Sequence, residues 1–112
     1  MRNDPYRRIP KSLELVADIA DRGVDLGEDH AVEHFFVGAF DNAEAVSALF
    51  NKGGYAVAEA RQSKDDDIFG VVVNQKIDAE TIKQSIIDAC KYSETHDLGY
   101  DGWDVDVSRW KI

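Results

Sequence analysis

The sequence predicts an α+β fold in which amphipathic helices lie on one face of a sheet whose middle strands are apolar. Three observations carry this expectation. Residues 30–40 and 68–73 are rich in β-branched and aromatic side chains, with apolar groups on both alternating faces, as strands in the middle of a sheet require. Three other segments place apolar side chains three and four apart, the spacing of one helix face. Glycines and short polar capping residues separate these segments.

The chain is 112 residues long and 44% hydrophobic, which suits one folded domain and its core. Both prolines, Pro5 and Pro10, fall in a basic N-terminal stretch holding Arg2, Arg7, Arg8 and Lys11 against Asp4. Residues 1–10 are therefore expected to form an extended basic arm, with residues 11–112 as the single domain.

After the arm, Ser12 can cap a helix over residues 12–22 in which Leu13, Val16, Ala17 and Ala20 share a face and Gly23 ends the run. The strand over residues 30–40 leads into Asp41-Asn42-Ala43-Glu44, where a capping residue has Glu three positions on and opens a helix striped by Ala43, Val46, Leu49 and Phe50. Gly53-Gly54 stops that helix. Residues 55–62 alternate less cleanly and suit an edge strand, and residues 63–67 make a polar hairpin loop into the apolar strand at 68–73. Asp78 caps the longest helix, residues 79–95, with Ile82, Ile86, Ala89, Cys90 and Ser93 on one face. At the end, Trp103, Val105 and Val107 alternate with Asp104, Asp106 and Ser108, a period of two that marks a last strand. Tyr100-Asp101-Gly102 is expected to be the turn that delivers it, with Gly102 free to take a positive φ.

After the first helix the order is β-α-β-β-α-β, the arrangement of ferredoxin-like folds. The expectation is a ferredoxin-like two-layer sandwich with an extra N-terminal helix, its first and third strands central.

Formal charge is −9, from 13 basic and 22 acidic residues. A field of that sign repels a phosphate backbone, so direct nucleic-acid binding is disfavoured, and a basic protein surface is the favoured partner. No apolar run is long enough to span a bilayer and no secretory h-region opens the chain, so no membrane role and a cytoplasmic address are expected. The lone Cys90 fits a reducing compartment, and its place on a buried helix face makes it inert packing.

Catalytic chemistry finds no footing. Asp101, Asp104 and Asp106 resemble an oxygen cluster, but they run into a strand and lack the odd-position ligands and terminal bidentate Glu of a calcium loop. His30 and His34 are four apart, about 13 Å on a strand, too far to share a zinc. His34 reads instead as a hydrogen-bonded structural histidine. No phosphate-loop, dinucleotide or nucleophile-elbow motif occurs, and Phe35 or Phe36 lacks the basic and glycine setting of an RNA-binding sheet. No catalytic residue, metal or cofactor is expected.

Three segments resemble the RraB family, the type B regulators of ribonuclease E activity. They are Asp21-Arg22-Gly23-Val24-Asp25 leading to Val32-Glu33-His34-Phe35-Phe36, then Phe40-Asp41-Asn42-Ala43-Glu44-Ala45, and Tyr100-Asp101-Gly102-Trp103-Asp104. Asp41 stands where that family commonly has proline. The resemblance implies a ferredoxin-like fold and a non-catalytic protein that binds ribonuclease E and restrains its cleavage of RNA. Tyr100, Asp101 and Trp103, with Asp104 and Asp106 on the acidic face of the last strand, are the candidate partner contacts, and Gly102 is the structural turn residue. The alternative is a ligand-binding or dimerisation module using the open sheet face. Either a monomer or a homodimer is compatible with the sequence.

Overall fold

The structure, a computed structural model, describes residues 3–105. Its elements are α1 (Pro5–Asp21), β1 (Asp29–Val37), a 3-10 turn (Phe40–Asn42), α2 (Ala43–Lys52), β2 (Ala56–Gln62), β3 (Ile68–Lys76), α3 (Ala79–Thr95) and β4 (Gly99–Val105). The strands form one antiparallel sheet in the order β2-β3-β1-β4, so the apolar strands β1 and β3 are central. Helices α2 and α3 pack on one face of it, and α1 lies against α3.

The helix expected from Ser12 begins at Pro5, and the expected extended arm over residues 1–10 is corrected: residues 5–10 are helical. Asp4 caps the helix, its carboxylate accepting the Tyr6 N–H at 3.0 Å, and Pro5 takes the first helical position, where a missing N–H leaves no bond unmade. Pro10 lies inside the helix and removes one backbone bond, a cost of about 3 kcal/mol. Burial of Ile9, Val16 and Ile19 in the core offsets it, since each such side chain contributes roughly 1.5–3 kcal/mol.

Gly23, with φ of 85°, follows the end of α1, and Asp78 caps α3 by accepting the Thr81 N–H at 2.8 Å. Helix α2 differs from expectation, because its cap residue Asn42 makes no side-chain cap bond and instead donates to the Ala39 carbonyl. Strand β3 runs on to Lys76, past the apolar run, because Asn74, Gln75 and Lys76 pair with Ala31, His30 and Asp29 of β1.

Strand β4 carries the bend that decides which side chains enter the core. Val105 pairs with Val32 and Trp103 with His34, but past Gly102 the register shifts and Tyr100, not Asp101, pairs with Phe36. Asp101 is thus the extra residue of a β-bulge, and Gly102 takes the positive φ of 103° that the bulge requires. The expected turn at Tyr100-Asp101-Gly102 is corrected to this bulge within the strand. Its effect follows from strand periodicity. In an unbroken alternation Tyr100 and Trp103 would face opposite sides and Asp101 would point at Phe36; the inserted residue resets the parity and puts both aromatics on the helix-covered side.

That side holds a continuous core of Val32, Phe36, Val46, Phe50, Phe69, Val71, Ile82, Ile86 and their neighbours, reaching from Ile9 to Val105. Phe36 stacks on Phe69 at 5.4 Å and meets Phe50 edge-on at 6.2 Å. Among the described residues no helix covers the other face of the sheet.

Candidate functional site

The segment carrying Tyr100 and Trp103 is built into the interior. His34 is 0% exposed, stacks on Phe50 with centroids 5.4 Å apart, and uses both ring nitrogens. Its Nε2 lies 2.9 Å from Gln75 Oε1 and its Nδ1 lies 2.8 Å from the Tyr100 hydroxyl. The surrounding bonds fix the proton. Ser85 Oγ donates to the Ile82 carbonyl and accepts from Gln75 Nε2 at 3.2 Å, which leaves Gln75 Oε1 as the acceptor toward His34. The imidazole therefore carries its hydrogen on Nε2, and Tyr100 O–H donates to Nδ1. Burial holds His34 neutral, lowering its pKa from 6.5 to about 4 against the opposing hydrogen bond to Gln75. Burial also pushes the Tyr100 phenol well above its usual range.

Asn3, just before α1, and α1 itself clasp the same segment from outside. Asn3 Nδ2 donates to the Leu98 carbonyl at 2.8 Å and its Oδ1 accepts the Tyr100 N–H at 2.8 Å. The Arg8 guanidinium sits 5.5 Å from the centre of the Tyr100 ring, a cation–π contact, and Trp103 Nε1 donates to Ser12 Oγ at 2.9 Å. Cys90 lies beside this clasp in a groove of about 450 Å³ shared with Pro5 and Ile87, where burial pushes its thiol up to about 11, away from nucleophilic use.

The uncovered face is chemically different. One cross-strand row reads Glu59 of β2, Val72 of β3, Glu33 of β1 and Asp104 of β4, and the next reads Arg61, Gly70, Phe35 and Gly102. Gly70 has no side chain, and the Glu33 carboxylate lies over the space a Cβ there would fill. Arg61 pairs with Glu59 and reaches Glu33 at 4.0 Å. The Glu33 side chain is 23% exposed, and its pKa is raised, chiefly by burial and further by Asp104 and Glu59, with Arg61 opposing. Among the described residues no cation pairs with Asp104, whose Oδ1 accepts the Val105 N–H.

The expected contact residues thus separate. Asp101 and Asp104 are exposed, Trp103 is half-buried and bonded to α1, and Tyr100 is only 3% exposed. Tyr100 as a surface contact is corrected: its hydroxyl is required inside, as the donor to His34. Asp106 lies outside the described residues. No three His, Cys, Asp or Glu side chains among the described residues are grouped to hold a metal ion. Glu33, Gly70, Glu59 and Arg61 were not among the contact residues expected from sequence, and Phe35 was weighed there only as an RNA-stacking aromatic. The signal for them was a glycine inside an otherwise apolar strand, which marks close approach by a neighbouring group.

A sequence model of the family described as regulator of ribonuclease activity B, RraB, matches residues 11–105. Over 96 residues the chain is 29% identical to the regulator of ribonuclease activity B of Alteromonas mediterranea, covering 80% of this chain and 73% of that protein. Identity to the protein of that name from Haemophilus influenzae is 29% over 99 residues, covering 83% of this chain and 65% of that one. For the Aeromonas hydrophila protein of the same name it is 30% over 95 residues, covering 80% of each. Two of the three segments that carried the resemblance in sequence, those holding Val32-Glu33-His34 and Tyr100-Asp101-Gly102-Trp103, are joined in space by the His34–Tyr100 hydrogen bond. The chain belongs to the RraB family.

Proposed function

We propose that this protein is a non-catalytic regulator that acts by contact with another protein and restrains a ribonuclease E-type endoribonuclease, so slowing RNA turnover. The family match across residues 11–105 carries the reading, since the relatives are named as regulators of ribonuclease activity. The net charge of −9 favours a basic segment of that enzyme over its RNA substrate as the thing bound. The strand order β2-β3-β1-β4, all antiparallel, supports a ferredoxin-like sandwich, and because α1 starts at Pro5 and buries Ile9 in the core, the single domain in this reading takes in residues before 11 as well. A cytoplasmic address belongs to the same reading. The contact surface in this reading is the uncovered sheet face with the β4 edge, through Asp101 and Asp104 and, from the sequence, Asp106. Dimerisation through that face is the weaker reading, because a second copy would set one acidic row against another.

The test is cleavage of a labelled RNA by a purified ribonuclease E-type enzyme with and without the protein. Expected is a dose-dependent slowing that weakens at high salt, as charge pairing is screened within about 3 Å at 1 M, and no cleavage by the protein alone. Unchanged rates at saturating protein, with no co-sedimentation, would overturn it.

A further inference from the structure

The uncovered sheet face holds carboxylates in an arrangement that resists itself. Glu33 and Asp104 are direct cross-strand partners in an antiparallel pair, about 5 Å apart at Cα, and like charges so placed are destabilising. Glu59 continues the same row two strands away. The one cation that pairs with these groups among the described residues is Arg61, an arginine of the chain itself, whose guanidinium bridges Glu59 and Glu33 and leaves Asp104 without a cation. Beside the row, Phe35 is partly exposed, and its cross-strand neighbours Gly70 and Gly102 carry no side chain, with Arg8 Nη1 3.4 Å from where a Cβ of Gly102 would stand. The Glu33 carboxylate lying over Gly70 brings negative charge to the Phe35 row. An aromatic ring with carboxylates alongside suits a planar cation better than a compact one, because a guanidinium can stack on the ring and donate to two carboxylates at once. A phosphate backbone meets only repulsion here.

We propose that this face is the docking site for an arginine-bearing segment of a protein partner, one guanidinium lying over Phe35 between Glu33 and Asp104 as Arg61 already lies between Glu59 and Glu33. The proposal rests on the protein-contact reading above and names its chemistry. Removing Arg61 should then improve binding by freeing Glu33 and Glu59 for the incoming arginine.

Calorimetric titration of the full chain with a short alternating Gly-Arg peptide, its Gly-Lys counterpart of equal length and a single-stranded RNA tests this. The Gly-Arg peptide should bind at least about threefold more tightly than the Gly-Lys peptide, and the RNA should not bind. Glu33→Gln and Asp104→Asn should each weaken the Gly-Arg peptide by about fivefold or more, Phe35→Leu should bring it to the Gly-Lys level, and Arg61→Gln should strengthen it. Asp66→Asn, which removes the same charge from the β2–β3 loop, should change binding by less than about twofold. Equal binding of the two peptides, indifference to Glu33→Gln and Asp104→Asn in proteins with unchanged thermal unfolding, or preference for the RNA would overturn the proposal. An enzyme that is inhibited equally by the wild type and these variants would refute the site and leave the regulatory function standing. Variant-sensitive peptide binding with no effect on the enzyme would do the reverse.

Discussion

Replacing His34 by alanine is expected to lower the free energy of unfolding by about 4 kcal/mol, the largest effect of any single change outside the apolar core. The side chain is fully buried and bonds at both nitrogens, so its removal strands the Tyr100 hydroxyl and the Gln75 carbonyl oxygen in the interior. Each stranded group costs about 1–3 kcal/mol, and the lost stacking on Phe50 opens a cavity besides. Tyr100→Phe should cost less, about 1–2 kcal/mol, because it strands Nδ1 alone and keeps the ring. Urea unfolding at neutral pH gives both values. A loss below about 1 kcal/mol for His34→Ala would mean that the buried network does not hold β1, β3 and β4 together.

Acidification should weaken the fold through the same residue. The imidazole is neutral in the folded state down to about pH 4, whereas in the unfolded chain it takes up a proton near 6.5. Between those values the unfolded state binds more protons, so stability falls as pH falls. The contribution is complete above pH 6.5, declines through the interval and levels off below about pH 4, a total of roughly 3 kcal/mol. His34→Gln cannot titrate and should lack this decline. Unfolding curves at pH 7 and pH 4.5 isolate it as the difference between wild type and variant, since the carboxylates are common to both. A difference under about 1 kcal/mol would show that His34 takes up its proton in the folded protein.

Element types were legible where local chemistry and tertiary placement agree. The apolar runs of β1 and β3 are apolar because both strands are central, and Asp78 reads as a cap because its carboxylate accepts a helix N–H. They were misread where a distant partner decides. Two prolines suggested an extended arm, although Asp4-Pro5 is itself a cap followed by the first helical position. Pro10 is carried through by the burial of Ile9, Val16 and Ile19, which no local rule reveals. The expected strand stopped at residue 73 because the pairing of Asn74, Gln75 and Lys76 is with β1, far off in sequence.

The candidate site was half legible for a related reason. Charge and alternation were enough to put Asp104 on a solvated face. They were not enough to show Tyr100 turned inward, because that depends on one inserted residue at Asp101. Tyr100 and Trp103 stand three apart, so no regular strand could bury both, and the glycine between them was the clue to a bulge. His34 was read correctly as a bonded structural histidine, but its partners are 41 and 66 residues away. Residues that looked like a contact motif are largely scaffold, and the acids beside them face outward.

Inhibition curves of a ribonuclease E-type enzyme for the wild type and two charge-matched double variants test this division most directly. One variant, Glu33→Gln with Asp104→Asn, alters the uncovered sheet face; the other, Glu14→Gln with Asp18→Asn, alters exposed positions on α1. The account predicts that the sheet-face variant needs about tenfold more protein for half-inhibition while the α1 variant matches the wild type. Equal potency of the sheet-face variant, or loss confined to the α1 variant, would contradict it.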